Sequence, residues 1–244
     1  MAVSLLININ NSFTKAAVWN GRSLKSLDRT RTSEIRKSHF NQWIKKASPQ
    51  QILIASVVPT VTQKFPTSTK VPYYLLNHKS PWGISINFPH PSSIGADRLA
   101  NAAAVHAFYS VPAVVIDYGT AVTFDIISKK GEYLGGVITP GMRVFQDYLS
   151  ERTALLPRIK VSQPDRVIGK STREAMCSGA YYGYRGLVRE VLKEIQQELQ
   201  AKQLAIIATG GDSNLFKNEA ELFDSHDPHL SFKGMTVVAD HITP

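Results

Sequence analysis

The stretch Val114-Val115-Ile116-Asp117-Tyr118-Gly119-Thr120-Ala121-Val122-Thr123-Phe124-Asp125 decides how the rest of the chain is read. An apolar run ends in an aspartate, a Gly-Thr turn follows, and alternating residues then close on a second aspartate. This pattern predicts two strands joined by a tight, phosphate-sized turn. Gly119 lets the backbone bend sharply and approach a ligand closely. Thr120 and Thr123 supply hydroxyls, and Asp117 supplies a carboxylate suited to a cation. Many hairpins carry Asp-x-Gly, so its meaning depends on the residues around it.

Working outward, 244 residues make one large domain or two of about 120. A chain with 43% hydrophobic and 19% charged residues is not disordered throughout. The single cysteine, Cys177, excludes a disulfide framework and fits a reducing compartment. No apolar run approaches the roughly 20 residues that span a bilayer. Val3–Ile7 is too short for a signal-peptide core, so a soluble, cytoplasmic protein is expected. The net charge of +9 favours anionic partners. Its basic cluster, Arg29, Arg31, Arg36, Lys37, Lys45 and Lys46, is interleaved with Ile35, Phe40, Trp43 and Ile44 at helical spacing. That spacing predicts a solvated helix face. No zinc-finger or ribonucleoprotein motif accompanies it, which points away from nucleic acid.

Ser4–Ser12 begins as a buried strand and turns polar; Phe13–Trp19 resumes as a strand, and Asn20-Gly21 is a turn signal. Leu24–Leu27 is a candidate third strand, Ser33–Lys46 an amphipathic helix, and Gln51–Pro59 and Tyr73–Leu76 further strands. A Pro/Ser-rich loop leads through Ile94-Gly95-Ala96-Asp97-Arg98 into an alanine-rich helix, Leu99–Tyr109. A carboxylate is favoured at a helix start, so Asp97 taken alone reads as a helix cap. Helices are predicted at Met142–Glu151 and Arg173–Gln200, the second broken near Gly179–Gly186, with others at Asn214–Phe223 and Gly234–His241. Ala205–Asp212 is a buried strand ending in a Gly-Gly turn. A strand–turn–strand–strand pattern followed by a helix starts at residue 4 and again near 113. This predicts two halves, 1–112 and 113–244, facing each other across a cleft.

Five segments, in order and spacing, resemble the type III pantothenate kinases. They are Asn8-Ile9-Asn10-Asn11-Ser12-Phe13-Thr14-Lys15, Gly95-Ala96-Asp97-Arg98, Asp117-Tyr118-Gly119-Thr120-Ala121, Gly135–Gly141 and Thr209-Gly210-Gly211. The resemblance implies an α/β chain with a duplicated actin-like (ribonuclease H-like) ATPase fold, two halves around a nucleotide cleft, and a homodimer. It implies transfer of the γ-phosphoryl group of ATP to the terminal hydroxyl of pantothenate, the first step of coenzyme A synthesis. A divalent metal such as Mg2+ and a monovalent cation, K+ or NH4+, are implied as well. By motif position Asp97 is the proton acceptor, and Gly95, Ala96, Asp97 and Arg98 hold pantothenate with Phe88. Asp117 takes the monovalent cation, Thr120 the nucleotide, and Thr172 the substrate of the partner subunit. Asn8, Ile9, Asn10, Asn11, Ser12, Phe13, Thr14 and Lys15 form the first phosphate loop.

Those residues suit the chemistry. Phosphoryl transfer is mostly positioning and charge stabilisation. Lys15 offers a mobile point charge, Arg98 a fork for a carboxylate, and Asp97 a base for the hydroxyl proton. The first loop departs from the family pattern Asp-x-Gly-Asn-Thr: Asn8 stands for the aspartate and Asn10 for the glycine. Asn10 tolerates left-handed backbone angles, but Asn8 leaves a neutral carbonyl where magnesium prefers a carboxylate. Phe88 stands where the family usually has tyrosine. Three readings therefore stay open on sequence: an active pantothenate kinase, a weakened relative that binds nucleotide or pantothenate as a regulator, and another actin-like phosphotransferase or phosphohydrolase.

Overall fold

Asn20-Gly21 folds the chain as its turn chemistry dictates: Gly21 adopts φ +82°, and Asn20 Oδ1 accepts from the backbone N–H of Arg22 at 3.0 Å and of Ser23 at 2.8 Å. The computed structural model describes residues 2–217, 219 and 221–242. Its elements are β1 (Ser4–Ile9), β2 (Phe13–Trp19), β3 (Leu24–Arg31), α1 (Lys37–Ala47), β4 (Gln51–Ser56), α2 (Pro59–Thr62), β5 (Tyr73–Leu75), β6 (Ser85–Ile86), α3 (Ala96–Phe108), β7 (Ala113–Tyr118), β8 (Ala121–Ile127), β9 (Glu132–Pro140), α4 (Leu149–Arg152), α5 (Thr172–Glu198), β10 (Ala205–Thr209), β11 (Ser225–His226) and α6 (Leu230–His241). Two units account for them: the described residues of 1–111, 129–135 and 229–244, and those of 112–128 and 136–228.

In the first unit the sheet runs β3-β2-β1-β4-β5, with β1 antiparallel to β2 and parallel to β4. Leu5, Ile7, Ile9, Ala16, Ile52 and Ile54 share one core with Phe40 and Trp43 of α1 and with Val61 and Phe65. Period-two alternation in the strands meets the apolar face of the helix there, and each large side chain so buried contributes about 1.5–3 kcal/mol. Toward α6, Gln51 Nε2 donates to the Ala239 carbonyl at 3.1 Å and Trp19 Nε1 to Asp240 at 2.7 Å. Helices α3 and α6 pack closely because their contact residues are small; Gly234 sits so near the Ala100 carbonyl that no side chain fits. β6 pairs in parallel with the first residues of β9, Ser85 with Glu132 and Ile86 with Tyr133.

The second unit repeats the order. Its strands run β11-β10-β7-β8-β9, the same succession as β5-β4-β1-β2-β3. β7 pairs antiparallel with β8 and parallel with β10. Phe216 lies between Tyr118 and Tyr181, with ring centroids 5.5 and 5.3 Å away, tying the end of β7 to α5.

Several expectations are corrected. Helix α5 runs unbroken from Thr172 to Glu198. Gly179, Gly183 and Gly186 are exposed, with open space where a side chain would be. Their helix cost of about 1 kcal/mol each is offset by burial of Tyr181, Tyr184, Val188 and Leu192. The expected helix at 142–151 forms, with a π-helical segment, Val144–Tyr148, that runs directly into the short α4. That at 214–223 is one 3-10 turn, Ser213–Phe216, and residues 218 and 220 lie outside the described set. α1 begins at Lys37, after a 3-10 turn at Thr32–Glu34, and β3 extends to Arg31. Arg29 and Arg31 are therefore strand residues, and only the later basic residues line a helix. The alanine-rich α3 packs within its own chain.

Candidate active site

The first loop is the turn between β1 and β2. Asn8 is 2% exposed, and its Oδ1 has no hydrogen-bond partner in the protein; the Asn10 Oδ1 is likewise buried and unpartnered. Buried acceptors of this kind are costly unless something supplies a donor or a cation. The loop itself is firmly tied: Asn10 N–H donates to Phe13 at 3.1 Å, Thr32 N–H to Ser12 at 3.0 Å, and Thr32 Oγ1 to the Asn10 carbonyl at 2.6 Å. Of the eight residues expected to face phosphate, Ile9 buries its side chain in the core. Thr14 is fully buried against Thr32, and Phe13 lies under the Arg29 guanidinium. Asn11 is exposed, Ser12 half-buried, and Lys15 pairs across the strands with Asn8.

At the start of α3, Gly95 is the N-cap residue and Asp97 the second helical residue. The Asp97 carboxylate accepts the Arg98 backbone N–H at 2.9 Å, a first-turn contact and not an N-cap. A side chain at Gly95 would lie 2.5 Å from Asp97 Oδ1 and 3.2 Å from Val57, so the glycine gives the carboxylate its room. Burial raises the Asp97 pKa above the ordinary 3.8, outweighing the Arg98 N–H and the Arg98 charge, which lower it. Arg98 lies 5.8 Å over the Tyr133 ring, and Phe88 meets the same ring edge-on at 6.4 Å. Tyr133, fully buried, thus joins two expected pantothenate contacts. It carries no motif, and only the position of β9 reveals it.

The second unit assembles its own group. Asp117 stands in register with Thr123 on β8 and Thr209 on β10. Gly210, at φ +94°, passes so close that a side chain there would lie 2.5 Å from Asp117 Oδ1. Gly141 N–H donates to the Thr120 carbonyl at 3.1 Å, and a side chain at Gly141 would strike that backbone. Nearby, Met142, Arg143, Lys160, Gly211, Asp212 and Asn214 line a cavity of 520 Å³, within the usual range for small-molecule sites. Thr172 is the exposed first residue of α5, beyond the Ser171 N-cap. Among the described residues no group of three or more His, Cys, Asp or Glu could hold a metal ion. The available donors suit a cation bound largely through phosphate oxygens and water, as magnesium is with nucleotides.

Residues 4–194 match the family profile described as type III pantothenate kinase. The chain is 42% identical to the type III pantothenate kinase of Akkermansia muciniphila, covering 96% of this chain and 97% of that one. It is 38% identical to that of Methylacidiphilum infernorum, over 97% and 88%. Among solved structures, a Campylobacter jejuni protein of the Baf family of transcriptional activators superposes with a TM-score of 0.62 at 22% identity, covering 97% and 98%. MreB5 of Spiroplasma citri bound to ADP gives 0.52 at 12%, covering 98% and 96%. The ROK hexokinase of Thermus thermophilus gives 0.51 at 11%, covering 97% and 98%. At these identities the structures establish the fold alone, and that fold is actin-like.

Proposed function

The chain belongs to the type III pantothenate kinase family, and from that premise we propose which of its residues perform the reaction. It is a phosphotransferase that uses ATP to phosphorylate pantothenate, the entry step to coenzyme A. The observation that carries the assignment of roles is Asp97: a carboxylate at the first turn of α3, given room by Gly95 and raised in pKa by burial. A base of raised pKa takes a proton more readily than an exposed aspartate does. Asp97 accepts the proton of the pantothenate hydroxyl as that oxygen bonds to the γ-phosphorus and the bond to the ADP oxygen breaks. Arg98 pairs with the pantothenate carboxylate, and Phe88, steadied by Tyr133, packs against its apolar part.

Lys15 and the first-loop backbone receive phosphate oxygens. A divalent cation, when bound, neutralises charge on those oxygens. The unpartnered Asn8 and Asn10 carbonyls are the first-unit groups that would receive donors from its water shell. Asp117, with Thr123 and Thr209 in register, is assigned the monovalent cation, potassium or ammonium, since its oxygens are hard donors. Thr120 and the cavity beside Gly211 are assigned the nucleotide. The duplicated halves are taken as 1–112 and 113–244, supported by the repeated strand order. A homodimer is supported by the exposed glycine face of α5 and by Leu155 and Ile168, 90% and 73% exposed. Thr172, on the same helix, would then reach the partner's substrate. The cytoplasm, where ATP is made and used, is the assigned compartment.

A coupled assay with pantothenate, ATP, magnesium and potassium tests the whole. Turnover is expected to need potassium, to fall when sodium replaces it, and to need more magnesium than a relative with aspartate at the Asn8 position. No phosphopantothenate under any metal condition would refute the kinase assignment for this chain.

A further inference from the structure

The register of the first sheet sets four residues in one row: Ala55 on β4, Asn8 on β1, Lys15 on β2 and Arg29 on β3. Directly opposed residues on neighbouring strands project from the same face, so Asn8, Lys15 and Arg29 share one. The corresponding row of the second sheet contains Thr209, Asp117 and Thr123. One row is built around a carboxylate and the other around two cations, although the two sheets have the same strand order.

Arg29 adds a second cation to the row that contains Lys15, which strengthens the attraction of that face for an anion. The Arg29 guanidinium is also positioned: its Cζ lies 3.6 Å above the Phe13 ring, a contact that restrains a long side chain without consuming its hydrogen-bond donors. The neighbouring carboxylate, Asp28, belongs to the opposite face, where its Oδ2 accepts from Trp43 Nε1 at 2.7 Å. Between strand β4 and the two cations sits Asn8, buried and with Oδ1 unpartnered. The arrangement suits a polyanion that brings its own water.

We propose that Arg29 is a second cationic ligand for the nucleotide polyphosphate, acting with Lys15, and that the pair lets this chain bind ATP without first recruiting a divalent metal. The inference rests on ATP being the phosphoryl donor and deepens that reading. Asn8 is part of the same arrangement: an aspartate there would place a negative charge beside the phosphates and require a metal between them. Magnesium serves turnover in this scheme and is dispensable for holding the nucleotide.

Titration calorimetry on the whole chain tests this, using ATP in EDTA and magnesium–ATP at the same low ionic strength. For wild type the two dissociation constants should agree within about threefold. Arg29→Gln should weaken metal-free ATP about tenfold, the effect of one charge-assisted contact, with unchanged circular dichroism because Arg29 is exposed. Lys25→Gln makes the same charge change on the opposite face of β3 and should leave both constants alone. Asn8→Asp should weaken metal-free ATP and make magnesium–ATP the tighter form. Unaltered binding of metal-free ATP by Arg29→Gln would overturn the proposal. Equal weakening by Lys25→Gln, or a wild-type preference for magnesium–ATP of about tenfold or more, would do the same. Pantothenate phosphorylation persisting beside any of those results leaves the function standing; a wild-type chain that binds no ATP removes both.

Discussion

Asp97 concentrates what one side chain can be asked to do. Asp97→Asn should lower turnover by a factor of about 10²–10⁴, the usual worth of a positioned base, in the coupled assay. The variant should stay folded. Burial lifts the native pKa above 3.8, so between that value and the native one the folded state holds more protons than the unfolded chain. Stability contributed by Asp97 is therefore greatest at low pH and is lost as pH rises through that window. Melting temperatures of Asp97→Asn relative to wild type should accordingly rise with pH across the window and then level off, and the acid limb of kcat/KM should lie above 3.8. A base that burial makes stronger is also one that the fold holds at some cost. On sequence Asp117 stands out by its place before the Gly-Thr turn, whereas Asp97 taken alone reads as a helix cap and receives its role only from the resemblance to the family's motif. The structure places the Asp97 carboxylate on the first-turn N–H of Arg98, with Gly95 as the N-cap residue, and the turnover of Asp97→Asn separates a base from a helix-start residue.

At the level of elements, two glycines carry predictions. Gly210→Ala puts a side chain at φ +94° and 2.5 Å from Asp117 Oδ1. It should cost about 1–3 kcal/mol in denaturant unfolding and raise the potassium concentration needed for half-maximal turnover. Gly234→Val forces α6 away from the Ala100 backbone and should destabilise by about 1–3 kcal/mol or more, with nucleotide contacts untouched. Strands were readable because period two and Asn20-Gly21 are local signals. The charged row Asn8–Lys15–Arg29 was not, since the β2–β3 register shifts between Ala16 and Ala17 and no local pattern reports a bulge. Helix α5 departs from its sequence expectation for the reverse reason: its glycines are a local signal, whereas the burial of Tyr181 and Tyr184 that overrides them is tertiary. No local signal marks Tyr133, because its importance comes from the partners that packing brings to it.

On the scale of the whole molecule, the homodimer is the assignment most open to direct measurement. Sedimentation equilibrium should give twice the chain mass, and Gly183→Trp, which fills the open face of α5, should shift the population toward monomer and lower turnover with it. The net charge of +9 adds long-range attraction for anionic substrates, so association should slow as salt rises. One feature of the chain path bears on its synthesis. Helix α6 completes the first unit, covering α3 and bonding to Gln51 and Trp19, yet it follows every strand of the second unit in sequence. On the ribosome the first unit is made early and must wait, its alanine face uncovered, until the second has been translated. The second unit is free to fold while the first still lacks its final piece, so the half that leads in translation is the one that finishes last.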